Sequence, residues 1–273
     1  GQVHLLKVYE LPQMGRAARG KAIVNLLSLR KGEEITAFLP VREFTSGHFV
    51  VMATEHGVIK KTNLPAFAKP RAGGIIALEL DQGDRLIKAA LTDGNRHLLL
   101  SSYLGQGIRF RESDVRAMGR TARGIRGIRL PAEHRMISLI IPQDEGRVLT
   151  VSENGYGKRT RTVDFPTKGR GGKGLIAMST SERNGNMVGA EQVFEGDELM
   201  LISNQGTLVR TRSDEVSVQG RNTQGVRVIR TRGGEKLVGV QRIDEPDEEP
   251  ESEAEIEAEA ETEADTDTKP DNE

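Results

Sequence analysis

The chain has 273 residues and a formal charge of −1, with no cysteine, no tryptophan and 4% aromatic residues. Without cysteine there is neither a disulfide framework nor a thiolate metal site. No apolar run approaches the roughly 18 residues of a spanning helix and no charged-then-apolar leader opens the stretch, so the expectation is a soluble, cytoplasmic protein with no membrane partner.

Glycines punctuate the chain in two phases from its first residue onward. Gly1, Gly57, Gly105, Gly155 and Gly206 stand 56, 48, 50 and 51 residues apart, and Gly20, Gly74, Gly124, Gly174 and Gly225 stand 54, 50, 50 and 51 apart. Two signals in step describe one unit copied about five times, and a period near fifty residues points to a propeller-like or solenoid array. Gly1 already occupies a turn position, so the first copy is read as incomplete, with its partner strand upstream.

Within each copy the elements repeat in order. Short apolar runs at 49–53, 97–100, 148–151 and 199–202 read as strands, each ending in a turn: Glu55-His56-Gly57, Tyr103-Leu104-Gly105, Glu153-Asn154-Gly155 and Asn204-Gln205-Gly206. Such turns suit a hairpin tip that needs positive φ. The returning strands carry Lys60-Lys61, Arg109, Lys158-Arg159 and Arg210 among β-branched residues, so one face is expected to pack and the other to present charge. A basic loop leads to the second glycine. A third strand (75–80, 125–130, 175–178, 226–229) and a fourth (85–91, 136–141, 187–193, 236–243) complete the unit. Four strands per unit make a propeller blade. The expected fold is therefore all-β, a propeller-like pinwheel of about five blades over 1–243, followed by a tail over 244–273.

That tail holds sixteen Asp or Glu and one Lys, net −15, which leaves 38 Lys plus Arg against 24 Asp plus Glu in the body, net +14. Glu-Ala alternation offers too little apolar surface to offset the entropy of ordering, so the tail is expected to be disordered. A basic body is the electrostatic footprint of a polyanion binder. A merely charged surface fits the charge count equally well. We expect the tail to compete with a polyanion for the body.

Catalytic and cofactor sites fail on context. Gly169-Arg170-Gly171-Gly172-Lys173-Gly174 contains a literal GxGxxG, but a strand follows where a dinucleotide site needs a helix. Lys173 is followed by Gly174, which leaves no hydroxyl for a phosphate-loop magnesium. His4, His48, His56, His97 and His134 fall at unrelated repeat positions with no ligand-spaced carboxylates. No nucleophilic constellation stands out, so no catalytic residue, metal or cofactor is expected in this stretch.

The recurrent chemistry lies in the loops before each second glycine. They contribute Arg16, Arg19 and Lys21, then Lys69 and Arg71, Arg120 and Arg123, Lys168, Arg170 and Lys173, and Arg221. Small residues beside these cations let a phosphate backbone approach closely. With Lys60, Lys61, Arg109, Lys158, Arg159 and Arg210 they are expected to form a continuous outer belt. Few aromatics are present for stacking single-stranded bases, and no helix or ribbon suited to a major groove is visible. What remains is sequence-tolerant contact with double-stranded DNA through its phosphates and its deformability.

Lys7-Val8-Tyr9-Glu10-Leu11-Pro12 followed by 15–27, and Tyr156-Gly157-Lys158-Arg159-Thr160 followed by Phe165-Pro166-Thr167-Lys168, resemble two blades of the C-terminal domain of bacterial DNA gyrase A. The resemblance covers 1–243, and an acidic tail is also seen in that family. It implies a β-pinwheel whose blades exchange strands and which wraps DNA around a positive perimeter. The parent type II topoisomerase would then introduce negative supercoils, using ATP and Mg2+ elsewhere. The implied partners are double-stranded DNA, the N-terminal breakage-reunion part of gyrase A and the ATPase component, gyrase B, with the isolated domain a monomer. The family's signature box, Gln-Arg-Arg-Gly-Gly-Lys-Gly, belongs to a first blade absent from this stretch; 168–174 matches it at five of seven positions and reads as the matching loop of a later blade. Two alternatives stay open. The related C-terminal domain of topoisomerase IV would keep DNA contact without chiral wrapping. A kelch-type protein-interaction propeller shares the period and the Gly-Gly pairs at Gly73-Gly74, Gly171-Gly172 and Gly233-Gly234.

Overall fold

The computed structural model describes residues 1–13, 20–27, 29–30, 32–69, 71, 73–132, 134–231 and 233–243. The expectations for Arg16, Arg19 and the acidic tail lie outside the described residues. Among the described residues the regular structure is strands and short 3-10 turns, with no α-helix. No helix there is long and apolar enough to cross a membrane.

Four antiparallel hairpins organise the chain: Phe49–Thr54 with Val58–Asn63, His97–Ser102 with Gln106–Arg111, Arg147–Ser152 with Tyr156–Arg161, and Glu198–Ser203 with Leu208–Arg212. Each turns at its expected glycine, with φ of +83°, +77°, +79° and +82° at Gly57, Gly105, Gly155 and Gly206. A long strand returns along the first strand of each hairpin: Leu86–Thr92, Met136–Ile140, Met187–Val193 and Leu237–Ile243.

The third strand of each unit is shorter than the periodicity suggests, and its partner is the one that the resemblance to a strand-exchanging pinwheel implies. It has two residues, and it joins the hairpin of the preceding copy: Ile125–Arg126 on the first hairpin, Leu175–Ile176 on the second, Val226–Arg227 on the third. Ile75–Ile76 joins Gln2–Val3 in the same way. The ladder stops because the next two N–H groups both turn onto one carbonyl, that of the hairpin glycine. Gly127 and Ile128 donate to Gly57, Ala177 and Met178 to Gly105, and Val228 and Ile229 to Gly155. Among the described residues three sheets therefore have four strands, one has three and one has two.

Adjacent sheets pack face to face. Val51, Ala53 and Ile59 of the first hairpin meet Leu98, Leu100, Ile108 and Phe110 of the second. Leu149 and Val151 of the third meet Leu199 and Leu201 of the fourth. The first strands of the first three hairpins are thus covered on both faces, which is why they read as unbroken apolar runs. Each fully buried Leu or Phe contributes about 1.5–3 kcal/mol. The strands Leu86–Thr92, Met136–Ile140 and Met187–Val193 also neighbour one another. Lys88 Nζ reaches Glu191 at 2.9 Å, and Ser138 Oγ donates to the Ala190 carbonyl at 2.5 Å. These three strands converge on the inside, so each exchanged strand, with its basic loop, lies at the opposite, outward edge of its sheet.

Candidate nucleic-acid interface

The in-phase cations divide into two sets. Those on the returning strands were expected to face outward, and for four of them the structure corrects that. Lys60 and Lys158 are 0% exposed and Lys61 and Arg159 are 6% exposed. The reason is that the loop of the next copy lies across the strand and turns carbonyls inward, joined at Lys60 by a carbonyl of its own copy, that of Ala77. Lys60 Nζ donates to the Ala77 carbonyl at 2.6 Å and the Arg120 carbonyl at 2.5 Å. Lys158 Nζ donates to Gly220 at 2.7 Å and also to Arg221. Burial pushes both ammonium groups down from 10.5 to about 8, and the nearby Arg120 or Arg221 adds to the push.

The next position along is a staple between copies. Lys61 Nζ donates to the Glu112 carbonyl at 3.2 Å and lies 3.7 Å from its carboxylate. Arg109 donates to the Thr162 carbonyl at 3.2 Å and pairs with Asp144 at 3.3 Å, and Arg159 donates to the Val216 carbonyl at 2.7 Å and pairs with Asp214 at 3.2 Å. Each cation reaches the 3-10 turn of the following copy or its flank (Glu112–Asp114, Thr162–Asp164, Ser213–Glu215). Arg210, in the last hairpin, pairs instead with Glu198.

The loop cations form the second set. Arginines four residues before the second glycine stitch onto the exchanged strand of the preceding unit. Arg120 donates to the Ile76 carbonyl at 3.2 Å, Arg170 to Arg126 at 2.8 Å and Arg221 to Ile176 at 2.8 Å. The loops are held down by main-chain bonds too, from Arg129 to the Gly172 carbonyl and from Met118 to the Lys61 carbonyl. Of these arginines, Arg170 is exposed and Arg120 and Arg221 are half-buried; Lys21, Lys69, Arg71, Arg123, Lys168, Lys173 and Arg210 are exposed. Arg123 is shared with Glu79 at 3.3 Å and Asp81 at 2.9 Å. Lys168 and Lys173 thus flank a pinned arginine on the outward edge of one sheet.

Sequence reasoning passed over the exposed Arg116, Arg126, Arg129, Arg227 and Arg230. The signal for two of them was present. Arg126 and Arg227 lie two residues after Gly124 and Gly225, in the exchanged strands themselves. Arg227 also donates to the Tyr156 hydroxyl at 2.9 Å, with Arg183 at 3.2 Å, and the two guanidiniums hold that phenol below its usual range. At Gly169–Gly174 the chain enters the short strand Leu175–Ile176. No cluster of three or more His, Asp or Glu able to hold a metal occurs among the described residues.

A family model described as DNA gyrase C-terminal domain, beta-propeller, matches residues 1–42, 48–93, 96–143, 146–193 and 197–244. The last four of these segments each contain one hairpin. DNA gyrase A of Salmonella typhimurium is 53% identical over 246 residues, which cover 90% of this chain and 28% of the relative. Its Escherichia coli K12 counterpart is 51% identical over the same length, and that of Pseudomonas aeruginosa 46% identical over 289 residues. The chain spans 28% to 31% of the length of these relatives. Among solved structures it is similar to a DNA gyrase A C-terminal domain, with a TM-score of 0.76 and 26% identity over 89% of this chain and 80% of that one. It is also similar to the C-terminal domain of a DNA topoisomerase IV, with a TM-score of 0.80 over 94% and 79% of the two chains; at 22% identity that likeness concerns the fold.

Proposed function

The chain belongs to the DNA gyrase C-terminal domain family of β-propellers, and on that premise we propose that it binds double-stranded DNA along the outward edges of its sheets. Contact is made to phosphates without sequence selection, and the duplex bends to follow successive loops. Bending 20–30 base pairs costs on the order of 1–6 kcal/mol, offset by the phosphate contacts it brings. In a parent gyrase this bending would present a wrapped segment for negative supercoiling, while ATP and Mg2+ act in other parts of the enzyme. Cytoplasmic placement and assembly with the rest of gyrase A and with gyrase B belong to the same proposal.

The observation that carries the reading is the division of labour among cations. Buried Lys61 and Arg159 and half-buried Arg109 fasten copies together, and the backbone-pinned loops hold Lys168, Arg170 and Lys173 exposed on one outward edge. A cation held in place loses less entropy on meeting a phosphate than one on a mobile loop.

The test is electrophoretic. The chain should retard and bend a duplex of roughly one hundred base pairs, with affinity falling as a power of salt at a slope of about −0.9 per phosphate neutralised. Replacing Lys168 and Lys173 together by Glu should flatten that slope by about two and weaken binding to all sequences alike. An unchanged slope, or a loss confined to one sequence, would reject the assignment.

A further inference from the structure

Tyr156 follows the glycine of the third hairpin, where the other three hairpins have Val58, Gln106 and Thr207. It is 4% exposed and packs with Met178 and Met187, which fixes where its hydroxyl emerges. Two arginines from different copies meet there. Arg227 stands directly opposite Tyr156 in the exchanged strand Val226–Arg227 and donates from Nη2 to the hydroxyl at 2.9 Å. Arg183 donates to the same oxygen from Nε at 3.2 Å. Their guanidinium carbons lie 5.3 Å (Arg227) and 5.2 Å (Arg183) from the ring centroid.

Arg183 sits on a turn fastened into the fold. Asn184, 0% exposed, donates to the Ser179 carbonyl at 2.9 Å and accepts from the Ser181 N–H at 2.8 Å. Gly185 donates to the Ser181 carbonyl at 2.8 Å, and Asn154 Nδ2 donates to the Glu182 and Arg183 carbonyls at 3.1 and 3.2 Å. Arg183 and Arg227 are both exposed. Neither pairs with a carboxylate among the described residues, whereas Arg85, Arg123, Arg159 and Arg161 each do.

Two like charges brought to one oxygen repel each other, and nothing described here offsets them. The hydroxyl is incomplete in the same direction. It accepts twice, and its own proton finds no acceptor among the described residues. Tyr103 shows the completed arrangement: it too lies under an arginine, Arg135 at 4.6 Å, and donates to Glu153 at 2.5 Å. The hydrogen bonds from Arg183 and Arg227 hold the Tyr156 phenol below its usual range, which strengthens it as a donor. An occupant must therefore bring negative charge and several acceptor oxygens. A carboxylate offers two oxygens in one plane, whereas a phosphate group spreads its oxygens to meet two planar forks and a hydroxyl together.

We propose that Arg183, Arg227 and the Tyr156 hydroxyl form a seat for one phosphate group, separate from the loop cations. Arg227 belongs to the following copy, so the seat exists only where the strand exchange has been made. It lies at the outward edge of the third hairpin's sheet. There, resting on the DNA-binding reading, it fixes one backbone phosphate at a set point on the rim. The other source of the same chemistry is a free phosphate group, in solution or on a small molecule.

Arginine side-chain NMR of the 273-residue chain tests it. Arg183→Gln and Arg227→Gln each assign one Nε–H signal by its loss. Inorganic phosphate should shift both signals to saturation, and acetate at the same concentration should leave them in place. A short DNA duplex should shift them too when the backbone is the source; a response to phosphate and not to the duplex assigns the seat to a free phosphate group. Tyr156→Phe keeps the ring against Met178 and Met187 and removes only the hydroxyl. It should weaken the occupant several-fold without changing the salt slope of duplex binding, because no charge is lost, while Arg183→Gln should flatten that slope by about one. Failure of the whole chain to retard DNA would reject the DNA-binding reading and leave the phosphate response as the test of the seat. Signals that move with neither probe, that follow acetate equally, or that respond as strongly after Tyr156→Phe overturn the proposal.

Discussion

Lys60 and Lys158 stand three residues after a hairpin glycine, where the second and fourth hairpins have Ile108 and Val209. An ammonium replaces an aliphatic side chain there because two carbonyls face it, those of Gly220 and Arg221 in the overlying loop at Lys158, and those of Arg120 in the overlying loop and Ala77 of the same copy at Lys60. The hydrogen bonds favour the charged form and burial opposes it, and burial dominates, leaving each pKa at about 8 in the folded chain against 10.5 when free. Between those values the unfolded chain holds protons that the folded chain has released, so these sites make the fold more stable as pH rises through that window. Below about pH 8 both states are protonated and the cost of burying the charge is fully present. Lys60→Met keeps the side-chain length and removes one of the two titrations. Urea unfolding at about pH 7 and about pH 9.5 should show the wild type gaining stability relative to the variant at the higher pH. A pH-independent difference between them would mean that Lys60 does not titrate in this window.

The exchanged strand is the element on which the array depends, and glycine is what admits it. At Gly105 both demands coincide: φ is +77°, and a Cβ would stand 2.2 Å from the Met178 carbonyl and 3.0 Å from Thr180 Cγ2. Gly105→Ala must therefore push out the chain at Met178 and Thr180, just beyond Leu175–Ile176, as well as strain its own backbone, a loss of about 2–4 kcal/mol. Gly206→Ala meets only the backbone strain, about 1–2 kcal/mol. Thermal unfolding should place Gly105→Ala several degrees below Gly206→Ala, at about 2–4 °C per kcal/mol for a domain of this size. Equal midpoints would show that the exchanged strand does not press on the turn. The hairpins themselves were legible, because an apolar run buried on both faces beside an in-phase glycine has few other readings. The exchange was legible only through the family resemblance and not from the repeat itself. A third strand recurs every fifty residues whether it joins its own hairpin or its neighbour's, so periodicity carries no information about pairing. The same ambiguity hid the fate of Lys60, Lys61, Lys158 and Arg159, since only the overlying copy determines that their side of the strand is enclosed.

For the whole molecule the decisive quantity is where charge remains available once the staples are subtracted. The repeat marked the loops correctly as the outward feature, and the mutual packing of Leu86–Thr92, Met136–Ile140 and Met187–Val193 accounts for it by drawing the opposite sheet edges inside. Repeat logic could not separate Arg120, half-buried and bonded to Ile76, from Lys173, which is exposed, because both are cations at a fixed offset from a glycine. The available charge is also set against residues 244–273, which bring the net value of the chain from +14 to −1. A tethered polyanion acts at an effective concentration of up to about millimolar, and its attraction to the body is screened over about 10 Å at 0.1 M salt. Competition with DNA should therefore be strong at low salt and fade as salt rises. Removing 244–273 leaves the compact unit Gly1–Arg242 intact. The shortened chain should bind duplex DNA several-fold more tightly than the full one at low ionic strength, with the two affinities converging at high salt. Equal affinities at low salt would show that the acidic segment does not reach the loops, whatever its charge.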